Sequence, residues 1–258
     1  MKKMKPTMIY SVLLFILLLT IWELVVTVKN IPELILPKPT AIWMNLMTHL
    51  SSGYFLSHIN ATFIEVIGGF LIGATIGVGL GFIVSQSRTL REILHPYIIA
   101  SQAMPKIALA PLLTLWFGYG FAPKIIITAL ISFFPLFEST VTGLSLVDKD
   151  KVALFRSLKA SPLQILMKLR LPSAVPYLFS GLRVAIVLSV VGAAVSEFIG
   201  ANKGLGAVIT TGMGMMDTPL MFSAFILLTL MGIAMYHLIG LLERVFLKKY
   251  DYSRRDQE

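Results

Sequence analysis

"DKDKVALFRSLKASPLQILMKLRLP", residues 148–172, is the longest polar and basic interruption in a sequence that otherwise consists of long apolar runs. Its first half, Val152–Leu158, can form a short helix. Ser161 predicts the start of a second helix, because serine caps well, Pro162 suits the first helical position and Gln164 can reach back to the cap. We predict two short helices that are joined by a tight break and project as a basic knob. Its apolar part would be Leu154, Phe155 and Leu158.

The composition outside this segment indicates a membrane protein. The chain has 258 residues, of which 56% are hydrophobic and 14% charged, and its mean hydropathy is +0.82. There is no cysteine, which excludes disulfides, thiolate metal sites and cysteine nucleophiles. The net charge of +9 is concentrated beside apolar runs, so we interpret it as a sign of membrane topology and not of nucleic-acid binding.

Six apolar runs are long enough to cross a bilayer. They cover residues 8–28, 59–84, 93–117, 125–147, 174–199 and 220–242, and the polar segment 148–172 lies between the fourth and the fifth. The first run is too long for a signal-peptide core and has no small-residue cleavage site, so a retained span is favoured over a cleaved signal. Because no repeat divides the chain, we predict one all-α, polytopic membrane domain over residues 1–258.

The distribution of basic residues predicts the orientation of the spans. With six spans, both termini and segment 148–172 fall on one side, together with 16 of the 22 lysines and arginines. The four on the other side are Lys29, Lys38, Lys124 and Lys203, and two lie inside spans. The positive-inside rule therefore predicts that the termini and segment 148–172 are cytoplasmic, in a chain of the cell membrane.

The second span carries a glycine at every fourth position. Residues at this spacing share one helical face, and small side chains let another helix approach closely. Packing within the chain is the favoured interpretation, and a subunit interface is the alternative. The stripe consists of Gly69, Gly73, Gly77 and Gly81.

The third span is interrupted by Pro96, Pro105 and Pro111 and carries Lys106 near its middle. Irregular backbone at membrane depth is tolerated only where it is buried in protein or faces water. We therefore predict that this segment lines a pathway through the membrane or its gate.

Charged residues inside the spans require an explanation, because each costs on the order of 2.5–3.5 kcal/mol at mid-bilayer. Glu23 and Glu197 lie near the ends of their spans, so they either reach water or take a structural or gating role. For Arg183 a salt bridge to Glu138 or Glu65 is favoured over a solute contact. Glu138 follows Pro135 by three residues and suits a gate or a proton relay. The full set is Glu23, Glu65, Lys106, Glu138, Arg183 and Glu197.

Four segments together resemble one family. They are "LPKPT" from Leu36, "PKIALAPLLTLWFG" from Pro105, "FRSLKASPLQILMKLRLPSAVPYLFSGLRVA" from Phe155 and "SEFIGANKGLG" from Ser196. The chain resembles the permeases of binding-protein-dependent ABC importers, in the branch of nitrate, sulfonate, taurine and pyrimidine/riboflavin-type systems. The third segment is similar to their EAA loop, a coupling helix that sits in a cleft on a cytoplasmic ATPase subunit.

This chain departs from the family's pattern at the head of that loop. It has Ala153, Leu154 and Phe155 where the family usually has Glu-Ala-Ala, and Lys159 where the family usually has glycine. A residue other than glycine occupies a left-handed break at a cost of about 1 kcal/mol.

The resemblance implies a permease subunit that passes a small solute from an extracytoplasmic solute-binding protein into the cytoplasm. It implies cytoplasmic ATPase subunits and a second permease copy as partners, a lipid bilayer as environment, no nucleic acid, no cofactor and no enzymatic activity of its own. The residues that would couple to the ATPase are Ala153, Leu154, Phe155, Arg156, Leu158, Lys159, Ala160 and Ser161. Those expected at the pathway or gate are Pro105, Lys106, Pro111, Pro135, Glu138, Arg183 and Glu197.

Two other classes of function are alternatives. An ion-coupled secondary transporter would use Glu65, Glu138 and Glu197, but it predicts inverted repeats, which the sequence does not show. A membrane-embedded enzyme would need a nucleophile or metal set that the sequence does not offer. The sequence also has no glycine-rich loop ending in Gly-Lys-Ser or Gly-Lys-Thr, so the energy for transport must come from a partner or an ion gradient. The sequence does not decide which solute is transported; the candidates are a sulfonate, taurine, nitrate, a thiamin-pyrimidine precursor and riboflavin.

Overall fold

The structure, a computed structural model, describes residues 6–247, whose regular structure is entirely helical. The five long helices are α1 (Pro6–Val28), α3 (Tyr54–Ser85), α6 (Phe121–Ser145), α9 (Leu171–Glu197) and α11 (Thr218–Leu247). The shorter ones are α2 (Pro39–Ser51), α4 (Arg88–Ala103), α5 (Ala110–Phe117), α7 (Lys149–Ser157), α8 (Pro162–Ile165) and α10 (Leu205–Met215). Five membrane-length apolar helices are present within these residues, or six if the bent pair of α4 and α5 forms one span. The all-α, polytopic prediction is confirmed.

The centre of the fold is the contact between α3 and α6, which run side by side in the same direction. A Cβ atom at Gly73 of α3 would collide with Ser132 of α6, and one at Gly81 would lie 2.8 Å from the Cβ of Thr140. The glycine stripe is therefore packed within the chain, as the favoured interpretation stated. Without side chains on that face, the two backbones come close enough for extensive dispersion contact.

On its other side α6 packs against α9, which runs in the opposite direction. Small residues again permit the contact: a Cβ at Gly181 would lie 2.6 Å from the Cβ of Ser139, and one at Gly192 would lie 3.0 Å from the Cδ1 of Ile131. Helix α11 then packs against α9, and α10 fills the space between them near the end of α9. The core shared by these helices includes Val66, Phe70, Leu136, Ile186, Val190, Leu205, Val208 and Leu228.

The helix that begins at Ser161 is much longer than predicted. Ser161 Oγ accepts the N–H of Gln164 at 3.3 Å and Gln164 Oε1 accepts the N–H of Ser161 at 2.8 Å, so the predicted capping box is present. However, α8 continues through a π-helical turn, Leu166–Arg170, into α9, and one helix covers Pro162–Glu197. The π turn, in which the Leu171 N–H bonds the carbonyl of Leu166, carries the helix past Pro172 without a break. The prediction of two short helices is wrong for the second one.

The third predicted span is broken at only one of its three prolines. Helix α4 runs through Pro96 and ends at Ala103, and a 3-10 turn, Lys106–Leu109, then leads into α5. The two parts of the span are bent by 75°. Pro111 lies in the first turn of α5, where its missing N–H costs no helical hydrogen bond. Pro105 alone therefore interrupts the span.

Candidate functional site

The elbow, residues 148–161, consists of α7 and the turn that follows it. Asp148 Oδ1 caps α7 by accepting the N–H of Asp150 at 2.9 Å. The turn is closed by a bond of 2.9 Å from the Ala160 N–H to the Phe155 carbonyl, with Lys159 in the left-handed region at a φ of 57°. The lysine thus adopts the conformation that a glycine would adopt at lower cost, about 1 kcal/mol less.

Two leucines give the elbow an exposed apolar face. The side chains of Leu154 and Leu158 are 57% and 71% exposed, and their spacing of four places them together on one side of the helix. Phe155, the third predicted apolar contact, is half-buried. Of the other predicted coupling residues, Ala153, Arg156 and Lys159 are exposed, Ala160 is half-buried and Ser161 holds the capping box. The exposed leucine pair and the exposed basic residues of the same segment together form a surface that suits contact with another protein.

A second group of predicted residues lies along one side of α6. Lys106 Nζ lies 4.3 Å from the centre of the Phe134 ring and donates to the carbonyl of Gln102 at 3.1 Å. Glu138 follows Phe134 by one helical turn, so it lies on the same side of α6. It is half-buried and makes no ion pair with any residue in the range 6–247. Lys106 thereby lies beside Phe134 of α6, Glu138 lies one turn further along the same side of that helix, and Pro111 lies in the first turn of α5.

Pro135 and Arg183 lie elsewhere. The carbonyl of Pro135 faces Gly181 of α9, where it would lie 3.2 Å from an added Cβ. Arg183 forms an ion pair with Glu243 of α11, and its guanidinium lies 5.2 Å from the Tyr236 ring. The predicted bridge from Arg183 to Glu138 or Glu65 is wrong, because Arg183 lies on the side of α9 that faces α11. Sequence reasoning missed Glu243 because it ended the last span at residue 242, whereas α11 continues to Leu247.

The ion pair between α9 and α11 gives a direct prediction. Arg183→Glu or Glu243→Arg alone is expected to lower the melting temperature of the detergent-purified protein by about 2–4 °C, because each change places two like charges side by side. The double reversal should recover most of this loss, and Lys168→Glu, at an exposed position of the same long helix, should cause little change. Thermal unfolding followed by tryptophan fluorescence is the measurement. A double variant that is no more stable than the weaker single variant would contradict the pairing.

At the end of α9 a buried polar cluster joins four helices. We call it the Glu197 cluster, and its side chains are Thr62, Glu65, Lys124 and Glu197. Glu197 is fully buried; its Oε1 accepts the Thr62 hydroxyl at 2.7 Å and its Oε2 accepts the N–H of Gly206 at 2.6 Å. The Thr62 oxygen in turn accepts the N–H of Leu205 at 2.8 Å. The cluster therefore provides hydrogen-bond acceptors for the first free N–H groups of α10. A carboxylate is a favourable acceptor there, because the N-terminus of a helix carries a partial positive charge.

The same cluster contains the pair of Glu65 and Lys124. Glu65 is fully buried, and its Oε1 accepts from Lys124 Nζ at 2.7 Å. Its other oxygen, Oε2, is buried and has no hydrogen-bond partner within the described residues. Two of the intramembrane glutamates are thus engaged in holding α3, α6, α9 and α10 together. Sequence reasoning missed Lys124 as their partner, because only the parallel register of α3 and α6 brings it to Glu65.

Glu23 has a structural partner as well. Its carboxylate accepts the backbone N–H of Thr40 at 3.1 Å and the Thr40 hydroxyl at 2.9 Å. It therefore caps the N-terminus of α2 from the neighbouring helix α1. Of the two roles left open for Glu23, the structure supports the structural one.

A cavity of about 210 Å³ lies beside the Glu197 cluster. One wall is formed by the first half of α5, the turn at residues 118–120 and the start of α6, and the opposite wall by the end of α9 and the segment that follows it. The polar groups that line it belong to Thr114, Tyr119, Lys124, Ser196, Asn202 and Lys203.

Comparison with known proteins gives one consistent answer. A family model described as binding-protein-dependent transport system inner membrane component matches residues 69–252. The riboflavin transport system permease protein RibX of Chloroflexus aurantiacus is 37% identical over 232 residues, 90% of this chain and 87% of that protein. The formylaminopyrimidine transport permease protein ThiX of Halalkalibacterium halodurans is 35% identical over 235 residues, 91% of this chain and 93% of that protein.

Solved structures share the fold. An inward-facing structure of the MetNI methionine ABC transporter aligns with a TM-score of 0.57 at 20% identity, covering 77% of this chain and 96% of that chain.

Proposed function

The chain belongs to the family of binding-protein-dependent transport system inner membrane components, the permease subunits of ABC import systems, and on this premise we propose how it works. It passes a small solute, which an extracytoplasmic solute-binding protein delivers, into the cytoplasm while partner ATPase subunits hydrolyse ATP. The resemblance stated from the sequence is thereby confirmed at the level of the family.

The elbow carries this proposal. Leu154 and Leu158 offer an apolar contact on a basic helix, and the elbow leads directly into a helix that crosses the whole fold. A partner that binds the elbow can therefore move a membrane-spanning element. Since the sequence has no nucleotide-binding loop of its own, ATP hydrolysis is assigned to that partner.

The positive-inside rule supports an orientation in which the elbow faces the cytoplasm. Helix α9 then ends at the outer face of the membrane, and so do the Glu197 cluster and the cavity beside it. The basic residues at both ends of the chain favour the same orientation, although residues 1–5 and 248–258 lie outside the described range.

A second copy of the chain completes the pathway in this proposal. The broken span has a mostly exposed apolar surface, in which Leu115 is 79% and Trp116 is 65% exposed. Irregular backbone at Pro105 requires cover by protein or contact with water inside the bilayer. If two copies face each other across their broken spans, the partner copy covers the exposed apolar surface and the space between the copies admits water. Lys106 and Glu138 would then lie beside the solute.

The names of the relatives favour a planar heteroaromatic solute. RibX is named for riboflavin and ThiX for a formylaminopyrimidine, and both cover nearly the full chain. We propose a solute of that class, selected mainly by the binding protein.

The ion-coupled alternative has less support, because Glu65 and Glu197 already serve as hydrogen-bond and ion-pair partners inside the protein. Among the three glutamates that it would use, only Glu138 has neither an ion pair nor a side-chain hydrogen bond to a residue in the range 6–247.

Uptake by proteoliposomes separates the two mechanisms. The chain is reconstituted with an ABC ATPase and a solute-binding protein from the same organism, and accumulation of a labelled pyrimidine or flavin is measured. We expect uptake that requires ATP and both partners. Uptake by the permease alone, driven by a proton gradient, would refute the proposal and support the ion-coupled mechanism.

A further inference from the structure

One helix connects the elbow with the Glu197 cluster. The helix Pro162–Glu197 has 36 residues, which corresponds to about 54 Å at 1.5 Å per residue. It begins at the capping box of the elbow, and its last residue is the glutamate at the centre of the cluster. A displacement of the elbow is thus transmitted along a continuous rod to the opposite end of the fold.

At that end the chain after α9 is fastened to Glu197. Besides the bond from the Gly206 N–H, a Cβ at Gly204 would collide with the Glu197 carboxyl group, and one at Gly206 would lie 2.8 Å from the Glu197 Cβ. Gly204 has a φ of 124°, which only glycine adopts readily. His58 adds a contact of 3.0 Å from its Nδ1 to the Gly204 carbonyl. The segment 200–206, which we call the wall segment, therefore packs tightly around the Glu197 side chain.

The wall segment forms one side of the cavity described above. Asn202 and Lys203 line it and are exposed, and a Cβ at Gly200 would lie 2.9 Å from the Tyr119 ring of the opposite wall. The opposite wall includes the first half of α5, which belongs to the broken span. Any movement of α9 relative to α5 therefore changes the width of this cavity.

We propose that Glu197 is a positioning residue for transport, which makes the wall segment follow the helix driven by the elbow and so opens and closes the mouth of the cavity. This inference rests on the proposed function, since it requires that an ATPase moves the elbow. The solute does not contact Glu197, which is fully buried. Its role is to transmit movement to the wall segment through the Gly206 N–H and the Thr62 hydroxyl.

The absence of cysteine makes a labelling test direct. Asn202→Cys reports on the wall segment, and Ser157→Cys, at an exposed position of the elbow, reports on ATPase contact. Each is introduced alone into the full complex with its ATPase in lipid nanodiscs, where nucleotide and reagent reach both faces of the bilayer. The rate of modification by a membrane-impermeant maleimide is then compared without nucleotide and with ATP trapped by vanadate. In the otherwise unchanged complex we expect nucleotide to alter the Asn202→Cys rate at least about fivefold.

The decisive variant is Glu197→Gln, which has one acceptor oxygen in place of two. In this variant we expect nucleotide to change the labelling rate of Asn202→Cys less than about twofold. The bound ATPase should still protect Ser157→Cys from labelling. The reason is that helix Pro162–Glu197 still moves, but the wall segment no longer moves with it. Thr62→Val, which keeps the carboxylate, should show the same loss and serves if Glu197→Gln does not fold. Ser189→Ala is the control, since this buried hydroxyl bonds only the Ala185 carbonyl of its own helix.

The outcomes are distinguishable. A nucleotide response at Asn202→Cys that is unchanged in Glu197→Gln or Thr62→Val overturns the role of Glu197 and leaves the proposed function intact. If the ATPase never protects Ser157→Cys in the unchanged complex, the proposed function fails, and the inference fails with it. A retained rate of ATP hydrolysis with lost uptake in Glu197→Gln supports the inference, because a residue needed only for folding would lower both.

Discussion

Replacing Leu154 and Leu158 together with aspartate is expected to abolish binding of the ATPase subunits and, with it, ATP-driven uptake. The two side chains are the exposed apolar part of the elbow. Apolar anchors buried at the centre of a protein interface commonly contribute about 2 kcal/mol or more each, so the double variant should bind at least about a thousandfold more weakly. Co-purification of a tagged ATPase with the permease measures the binding, and uptake by proteoliposomes measures the consequence.

The matched control places the same acidic group on the opposite side of the same helix. Lys149 is exposed and lies away from the two leucines, so Lys149→Asp should leave ATPase binding nearly unchanged. The folded amount of each variant is checked by its elution from a sizing column. If the double leucine variant still binds the ATPase as tightly as Lys149→Asp does, the elbow is not the contact.

Phe155 is a poorer choice for this experiment. It is half-buried, so part of its ring packs against the rest of the protein. An aspartate there would change the shape of the elbow as well as its surface, so lost binding would have two explanations. The sequence alone ranked Phe155 with the two leucines, because periodicity over nine residues does not show which side of a short helix rests on the rest of the chain.

Local signals predicted the parts of the elbow that depend on neighbouring residues. The capping box of Ser161 and Gln164 depends on adjacent positions, whereas the left-handed turn at Lys159 was indicated only by the resemblance to the family, which usually has glycine there. The length of the following helix was not predicted, because the rule that a proline ends a helix applies to α-helical hydrogen bonding. A π-helical turn before Pro172 changes that bonding and carries the helix onward.

Partners distant in sequence were predicted least well. Arg183 pairs with Glu243, and Glu65 pairs with Lys124, and in each case the choice depends on which helices become neighbours. A charge inside a span indicates that a partner is needed but not where it lies. The glycine stripe of α3 was more informative, since its period defined a contact face before the neighbouring helix was known.

Gly73→Leu in α3 is expected to be the most destabilising single change in the membrane region. The added Cβ would lie 2.6 Å from the carbonyl oxygen of Ala129 and would collide with Ser132, so the obstacle includes backbone that cannot rotate away. Overpacking of this kind costs about 3 kcal/mol, which for a chain of this size lowers the melting temperature by about 6–12 °C. Thermal unfolding of the purified protein is the measurement. After heating, we expect the variant to lose its monodisperse peak on a sizing column at a temperature that the unchanged protein still tolerates.

Gly79→Leu is the control that makes the cause specific. Gly79 lies six residues further along the same helix, is exposed, and has nothing within 4 Å of an added Cβ. The substitution there should be neutral or slightly stabilising, because leucine favours helix by nearly 1 kcal/mol relative to glycine. The melting temperature of Gly73→Ala should lie between those of the two leucine variants, since its single methyl group meets the same carbonyl. If leucine lowers the melting temperature equally at positions 73 and 79, α3 does not present its glycine stripe to α6. The parallel register that brings Glu65 to Lys124 would then be wrong as well.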